Sequence, residues 1–200
     1  MTRILLLFAH PALEKSRVHR RLLEALPRLP GLTLQDLYEA YPDFDVDVRR
    51  EQALLASHDL ILLQHPFYWY STPALLKQWQ DLVLEHGWAY GSNGTALRGK
   101  RMANVVTSGG GPAAYTREGL NRFTVRELLA PVEQTARLCG MEYLPPYLIQ
   151  GTHRMNESDL AAAAERYARA LTALHDDQVD LDAWRAAASL DRVEGVEASR

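Results

Sequence analysis

Short, unbroken apolar runs alternate along the chain with stretches of helical period. Ile4 to Ala9, Leu60 to Leu63 and Met102 to Val106 are continuous and apolar, the pattern of strands covered on both faces. Between them, Val18, Leu22 and Leu26, then Leu75, Trp79, Leu82 and Val83, recur at helical spacing. Leu32 to Leu37 alternates leucine with polar residues and predicts another strand. Tyr143 to Ile149 predicts a fifth, with an edge position or a bulge at Pro145-Pro146, because proline has no N–H to give a ladder. Asn156 predicts the cap of a last long helix, whose apolar positions are Leu160, Ala164, Tyr167, Leu171 and Leu174. Five rounds of strand then helix predict an α/β fold with a parallel sheet between two helical layers. Small ligands in that architecture bind beyond the carboxyl ends of the strands.

The apolar period weakens from about Asp176. Residues 1–175 therefore read as one domain, and residues 176–200 as a charged tail or a short helix around Leu181 and Trp184. A length of 200 residues with 47% hydrophobic composition suits one full core. The net charge of −3 provides no basic face, which sets nucleic-acid binding aside. A single cysteine, Cys139, cannot build an internal disulfide framework and points to a reducing, cytoplasmic location. The start, MTRILLLFAHP, reads as a buried strand and not a signal peptide. No apolar stretch reaches the length of a membrane helix, so any membrane role would come through a partner.

Three segments carry candidate chemistry, each directly after a predicted strand. His10-Pro11 leads to Ser16-Arg17-Val18-His19 at the start of a helix, where free backbone N–H groups, a hydroxyl and a cation suit a terminal phosphate. Ser16 would equally serve as a simple N-cap. Phe67-Tyr68-Trp69-Tyr70 places four aromatics in a row, which cannot all face one core from a regular element and would wall in a planar ring. Thr107-Ser108-Gly109-Gly110-Gly111-Pro112 offers a backbone cradle for a ligand, or a flexible turn. Their common place at strand ends favours one shared ligand. Other signals do not hold. Gly94 to Lys100 has phosphate-loop spacing but precedes a strand and lacks the following Ser/Thr; no Gly-x-Gly-x-x-Gly follows the first strand; and the histidines show no metal-binding spacing.

FAHP, LYEAYPDFDVD, QHPFYWYSTPALLKQW, HGWAYGSNGTALRGK, VTSGGG and CGMEYLPPY stand in order between Ile4 and Leu174. With these segments the chain resembles the NAD(P)H:quinone oxidoreductases of the flavodoxin-like superfamily, and among them the ancillary flavoproteins of glutathione-gated potassium-efflux (Kef) systems. The resemblance implies a flavodoxin-like three-layer sandwich with a five-stranded sheet in the order 2-1-3-4-5, and a homodimer. It implies FMN, with FAD as the alternative, held by His10, by Ser16, Arg17, Val18 and His19, by Phe67, Tyr68, Trp69 and Tyr70, and by Ser108, Gly109, Gly110 and Gly111. It further implies that NADH or NADPH gives a hydride to the flavin and leaves, after which a quinone or related electrophile is reduced by two electrons. The family's catalytic Tyr falls on Tyr115, whereas the place of its nearby His holds Asn121. Regulation of a membrane potassium-efflux transporter is the alternative role.

Overall fold

The computed structural model describes residues 1–193, and the last part of the segment 176–200 lies outside them. The chain runs β1 (Ile4–Phe8), α1 (Arg17–Glu24), β2 (Leu32–Asp36), α2 (Leu37–Ala40), α3 (Val48–Ser57), β3 (Leu60–Pro66), α4 (Ala74–Val83), β4 (Arg101–Ser108), α5 (Val125–Leu128), α6 (Ala130–Leu138), β5 (Glu142–Tyr143), β6 (Tyr147–Gln150), α7 (Glu157–His175) and α8 (Leu181–Ala186). All strand pairs are parallel, and the sheet order is β2-β1-β3-β4-β5, with β6 also beside β4. This is the flavodoxin-like arrangement expected from the sequence.

Period-two alternation divides the apolar residues between two cores. Leu5 and Leu7 of β1 point to the layer of α3, α4 and α6, where Leu55, Trp79 and Ala136 lie. Ile4 and Leu6 point to the opposite layer, with Leu22 of α1 and Leu160, Tyr167 and Leu171 of α7. Asn156 caps α7 as expected, accepting from the Asp159 N–H while the Asp159 carboxylate accepts from the Asn156 N–H.

The expected fifth strand is divided. Glu142 and Tyr143 pair with Arg101 and Met102, the chain breaks at Leu144-Pro145-Pro146, and Tyr147 to Gln150 pair with Val105 to Ser108. The prolines have no N–H to continue the ladder. Their carbonyls are taken up instead by the segment beyond Asp176: the Trp184 indole donates to Pro145 O at 2.8 Å, and Leu190 N–H donates to Pro146 O at 2.9 Å. Asp191 Oδ1 accepts from the Leu148 N–H at 3.0 Å, on the outer edge of β6. That segment therefore includes the short helix α8 and packs Val179, Trp184, Leu190 and Val193 into the α1/α7 core.

One carboxylate is fully buried. Glu51 accepts from Gln35 Nε2 at 2.7 Å, Tyr41 Oη at 2.6 Å and Trp79 Nε1 at 2.8 Å. Three donors on one carboxylate offset its desolvation and tie β2, α2, α3 and α4 together.

Candidate functional site

A cavity of about 460 Å3 opens at the carboxyl ends of β1, β3 and β4. A line of buried polar side chains reaches it, ending in the lining residues His19 and Thr107. The Tyr167 hydroxyl donates to Gln64 Oε1 at 2.7 Å, Gln64 Nε2 lies 3.3 Å from His19 Nδ1, and His19 Nε2 lies 2.9 Å from Thr107 Oγ1. Burial holds the His19 pKa well below its usual value, with His10 and His65 adding to the effect, so the ring is neutral at pH 7.

One wall is the start of α1. Ser16 Oγ accepts from the His19 N–H at 3.1 Å, which makes Ser16 a true N-cap and leaves its hydroxyl proton free to donate. The cap and the phosphate-site readings are therefore compatible. His10 Nδ1 accepts from the Ala12 N–H at 3.1 Å, and burial lowers the pKa of the ring, so its one N–H is on Nε2. Arg17 and Lys15 bring positive charge. The Arg17 guanidinium is pinned by Glu157 at 2.6 Å and Met155 O at 3.3 Å, joining the starts of α1 and α7.

The opposite wall is the loop after β3. Phe67 and Tyr68 line the cavity, with the Tyr68 ring edge-on to His10 at 6.0 Å. Trp69 and Tyr70 do not. They occupy the left-handed region at φ 48° and 63°, in a tight turn closed by Ser71 N–H to Tyr68 O at 3.0 Å. Such a backbone costs about 1–3 kcal/mol per residue and persists only where its surroundings hold it. The turn sets Trp69 outward, 92% exposed, and Tyr70 donates to Asn121 Oδ1 at 3.2 Å.

Of the glycine loop, Gly109 lines the cavity, while Gly110 and Gly111 line an adjoining one of about 360 Å3 with Leu120 and Arg154. Ser108 is turned inward, donating to Gly110 O at 2.9 Å. Tyr115 stands beyond, against Phe67.

Ala12, Lys15, Pro66, Thr152 and His153 also line the cavity and are missing from the sequence-based set. Gly151, at φ +76°, turns the chain after β6 so that His153 lies on the Gly109 backbone, where a Cβ at 109 would collide with its ring. Thr107 is also missing from that set, although the motif contains it.

The residues lining the cavity include no carboxylate. The donors among its polar groups are the Ser16 hydroxyl, the His10 Nε2–H, the free N–H groups at the start of α1, and the Lys15 and Arg17 cations. This set suits a phosphate on a polyol chain, and the aromatic wall suits a flat ring, so the residues present fit a flavin mononucleotide.

A flavodoxin-like fold family model matches residues 2–171. The chain is 46% identical over 168 residues to the glutathione-regulated potassium-efflux system ancillary protein KefF of Klebsiella aerogenes, covering 84% of this chain and 94% of that protein. It is similar to the structure of general stress protein 14 from Treponema denticola in complex with FMN, at 38% identity and a TM-score of 0.79, over 88% of this chain and 98% of that one. It is also similar to the NADPH-quinone reductase structure from P. pentosaceus, at 34% identity and a TM-score of 0.73, over 83% and 97%.

Proposed function

The chain belongs to the flavodoxin-like fold family, and from that premise we propose that it is an FMN-dependent NAD(P)H oxidoreductase reducing quinones or related electrophiles. The observation that carries this reading is the donor-rich cavity, lined by no carboxylate, beside an aromatic wall at strand ends where a flavin mononucleotide fits. The FMN-bound and NADPH-quinone reductase relatives support the cofactor and the reaction class.

The bound flavin would supply the two-electron chemistry, accepting hydride from NADH or NADPH and passing it to the acceptor. Ser16, His10 and the start of α1 would hold its phosphate end by donating hydrogen bonds. Arg17, fixed by Glu157, adds charge at the mouth without closing on the ligand. Phe67 and Tyr68 would cover its flat ring and exclude water, and the glycine loop would offer it backbone, with Gly109 on the cavity wall. The FMN-bound relative makes FMN the preferred cofactor over FAD.

Tyr115 is the catalytic donor of this account. Burial raises its pKa, which keeps the hydroxyl protonated and able to donate. Asn121 cannot take the part of the family's His, since an amide does not titrate; its carbonyl accepts from Tyr70.

The active unit is proposed as a homodimer. Trp69 is 92% and Leu120 89% exposed beside the cavity, more apolar surface than one flavin shields. Trp88, by contrast, packs partly on its own core. Trp69→Ala is therefore the cleaner interface probe by light scattering, and a fully active monomer would contradict the shared site.

The identity with KefF favours a second role, as a regulatory subunit of a potassium-efflux transporter; among the described residues no helix is long and apolar enough to cross a membrane. Steady-state assays with NADH or NADPH and a panel of quinones separate the two. Parallel double-reciprocal lines support the oxidoreductase. Retained FMN with negligible turnover on every acceptor favours the regulator.

A further inference from the structure

The buried line Tyr167–Gln64–His19–Thr107 has a direction. Tyr167 lies in the α7 layer, fully buried, and burial holds its pKa well above the usual value, so its hydroxyl keeps its proton. That hydroxyl donates to Gln64 Oε1, which fixes the amide and leaves Nε2, a donor only, facing His19 Nδ1. His19 Nδ1 must then accept, its single proton sits on Nε2, and Nε2–H donates to Thr107 Oγ1. The Thr107 oxygen is occupied as an acceptor and its own proton is free, at a residue that lines the cavity.

We propose that Tyr167, Gln64 and His19 are positioning residues that turn the Thr107 hydroxyl proton into the cavity, making Thr107 a hydrogen-bond donor to the flavin. The inference rests on the flavin reading above and adds to it a residue that touches the cofactor and a control that starts on the far side of the sheet. Without the Tyr167 hydroxyl nothing holds the amide. Gln64 can rotate by 180°, His19 takes its proton on Nδ1, and the Thr107 proton is drawn inward to Nε2. The cavity would then present an oxygen lone pair where it had presented a proton, toward the oxygen-rich ribityl-phosphate part of the ligand.

The test combines FMN titrations of the apoprotein, followed by quenching of flavin fluorescence, with the 15N NMR signature of the His19 ring. Thr107→Val and Tyr167→Phe should each weaken FMN binding by about tenfold, the scale of one hydrogen bond. The double variant should be no weaker than Thr107→Val alone, within about twofold, because both changes remove one interaction. Thr107→Ser should bind like the wild type. In the free wild-type protein His19 should carry its proton on Nε2, and in Tyr167→Phe on Nδ1. Additive losses near a hundredfold, or an Nδ1–H in the wild type, overturn the relay while leaving the flavin reading standing. A wild-type chain that takes up no FMN overturns both. Should Tyr167→Phe not fold, the wild-type proton position together with the Thr107 variants decides the matter.

Discussion

The ring of Tyr115 lies 6.1 Å from that of Phe67, centroid to centroid, at an interplanar angle of 43°. This contact keeps a protonated hydroxyl close to the aromatic wall and just beyond the glycine loop. Tyr115→Phe keeps the ring packing and removes the hydroxyl. It should lower kcat by about 100-fold or more with FMN content unchanged, the range of one positioned proton donor. Unaltered turnover would return Tyr115 to a packing role.

Gly109 and His153 are coupled by close approach. A Cβ at 109 would collide with the His153 ring and drive it off the cavity wall. Gly109→Ala should therefore weaken FMN binding by about tenfold or more, the scale of one or two lost contacts, with little loss of fold stability because a side chain and not backbone gives way. His153→Ala alone should weaken binding to a similar extent, and the double variant should be no weaker than either single variant, because both changes remove the same contact. Additive losses would show that the glycine acts apart from His153.

His65 makes stability fall toward acid. Fully buried, it donates from Nδ1 to Pro66 O at 2.9 Å and accepts at Nε2 from Asn104 at 2.8 Å, so a second ring proton has no place. Burial pulls its pKa down to about 4, from 6.5. Above pH 6.5 the ring is neutral in both folded and unfolded chains and contributes no slope. Between 6.5 and about 4 only the unfolded chain takes up the proton, so stability drops as pH falls, by about 3 kcal/mol in all. Urea unfolding at pH 7, 5.5 and 4.5 measures it. His10 and His19, lowered in the same direction, add to the slope, and the part that disappears in His65→Gln belongs to His65. An identical slope in that variant would contradict the assignment.

The segment beyond Asp176 carries stability. Trp184 is fully buried and its indole holds Pro145 O. Trp184→Ala should cost about 3–5 kcal/mol, the range for a large buried side chain, read as a lower urea midpoint. A chain cut after Asp176 should lose at least as much. A midpoint unchanged by either would show that the segment is dispensable to the fold.

Several of these relationships were legible in the sequence, for reasons that differ by residue. Ile4 to Phe8 and Leu60 to Leu63 read as buried strands because both faces of a parallel sheet are covered, so the apolar run is unbroken. Their loops followed as candidate sites, since ligand residues gather at strand ends. His153 was not legible. Nothing in Gly151-Thr152-His153 marks a site until the left-handed glycine folds it back onto Gly109. Thr107 was visible in its motif, but its role depends on Tyr167, sixty positions on, which helical period alone assigns to the core. Trp184 read only as part of a short helix with Leu181, and Leu190 carried no signal, because their partners are the two carbonyls exposed by Pro145-Pro146, and a hydrogen bond across that distance leaves no local pattern.

The most direct measurement of the central claim is anaerobic mixing of the FMN-loaded protein with NADH or NADPH, and then with a quinone, while the bound-flavin absorbance is followed. About one FMN per chain should be taken up, at least one nicotinamide nucleotide should bleach the flavin band, and the quinone should restore it in full. A protein that binds no FMN, or whose bound flavin neither nucleotide bleaches, would contradict that claim.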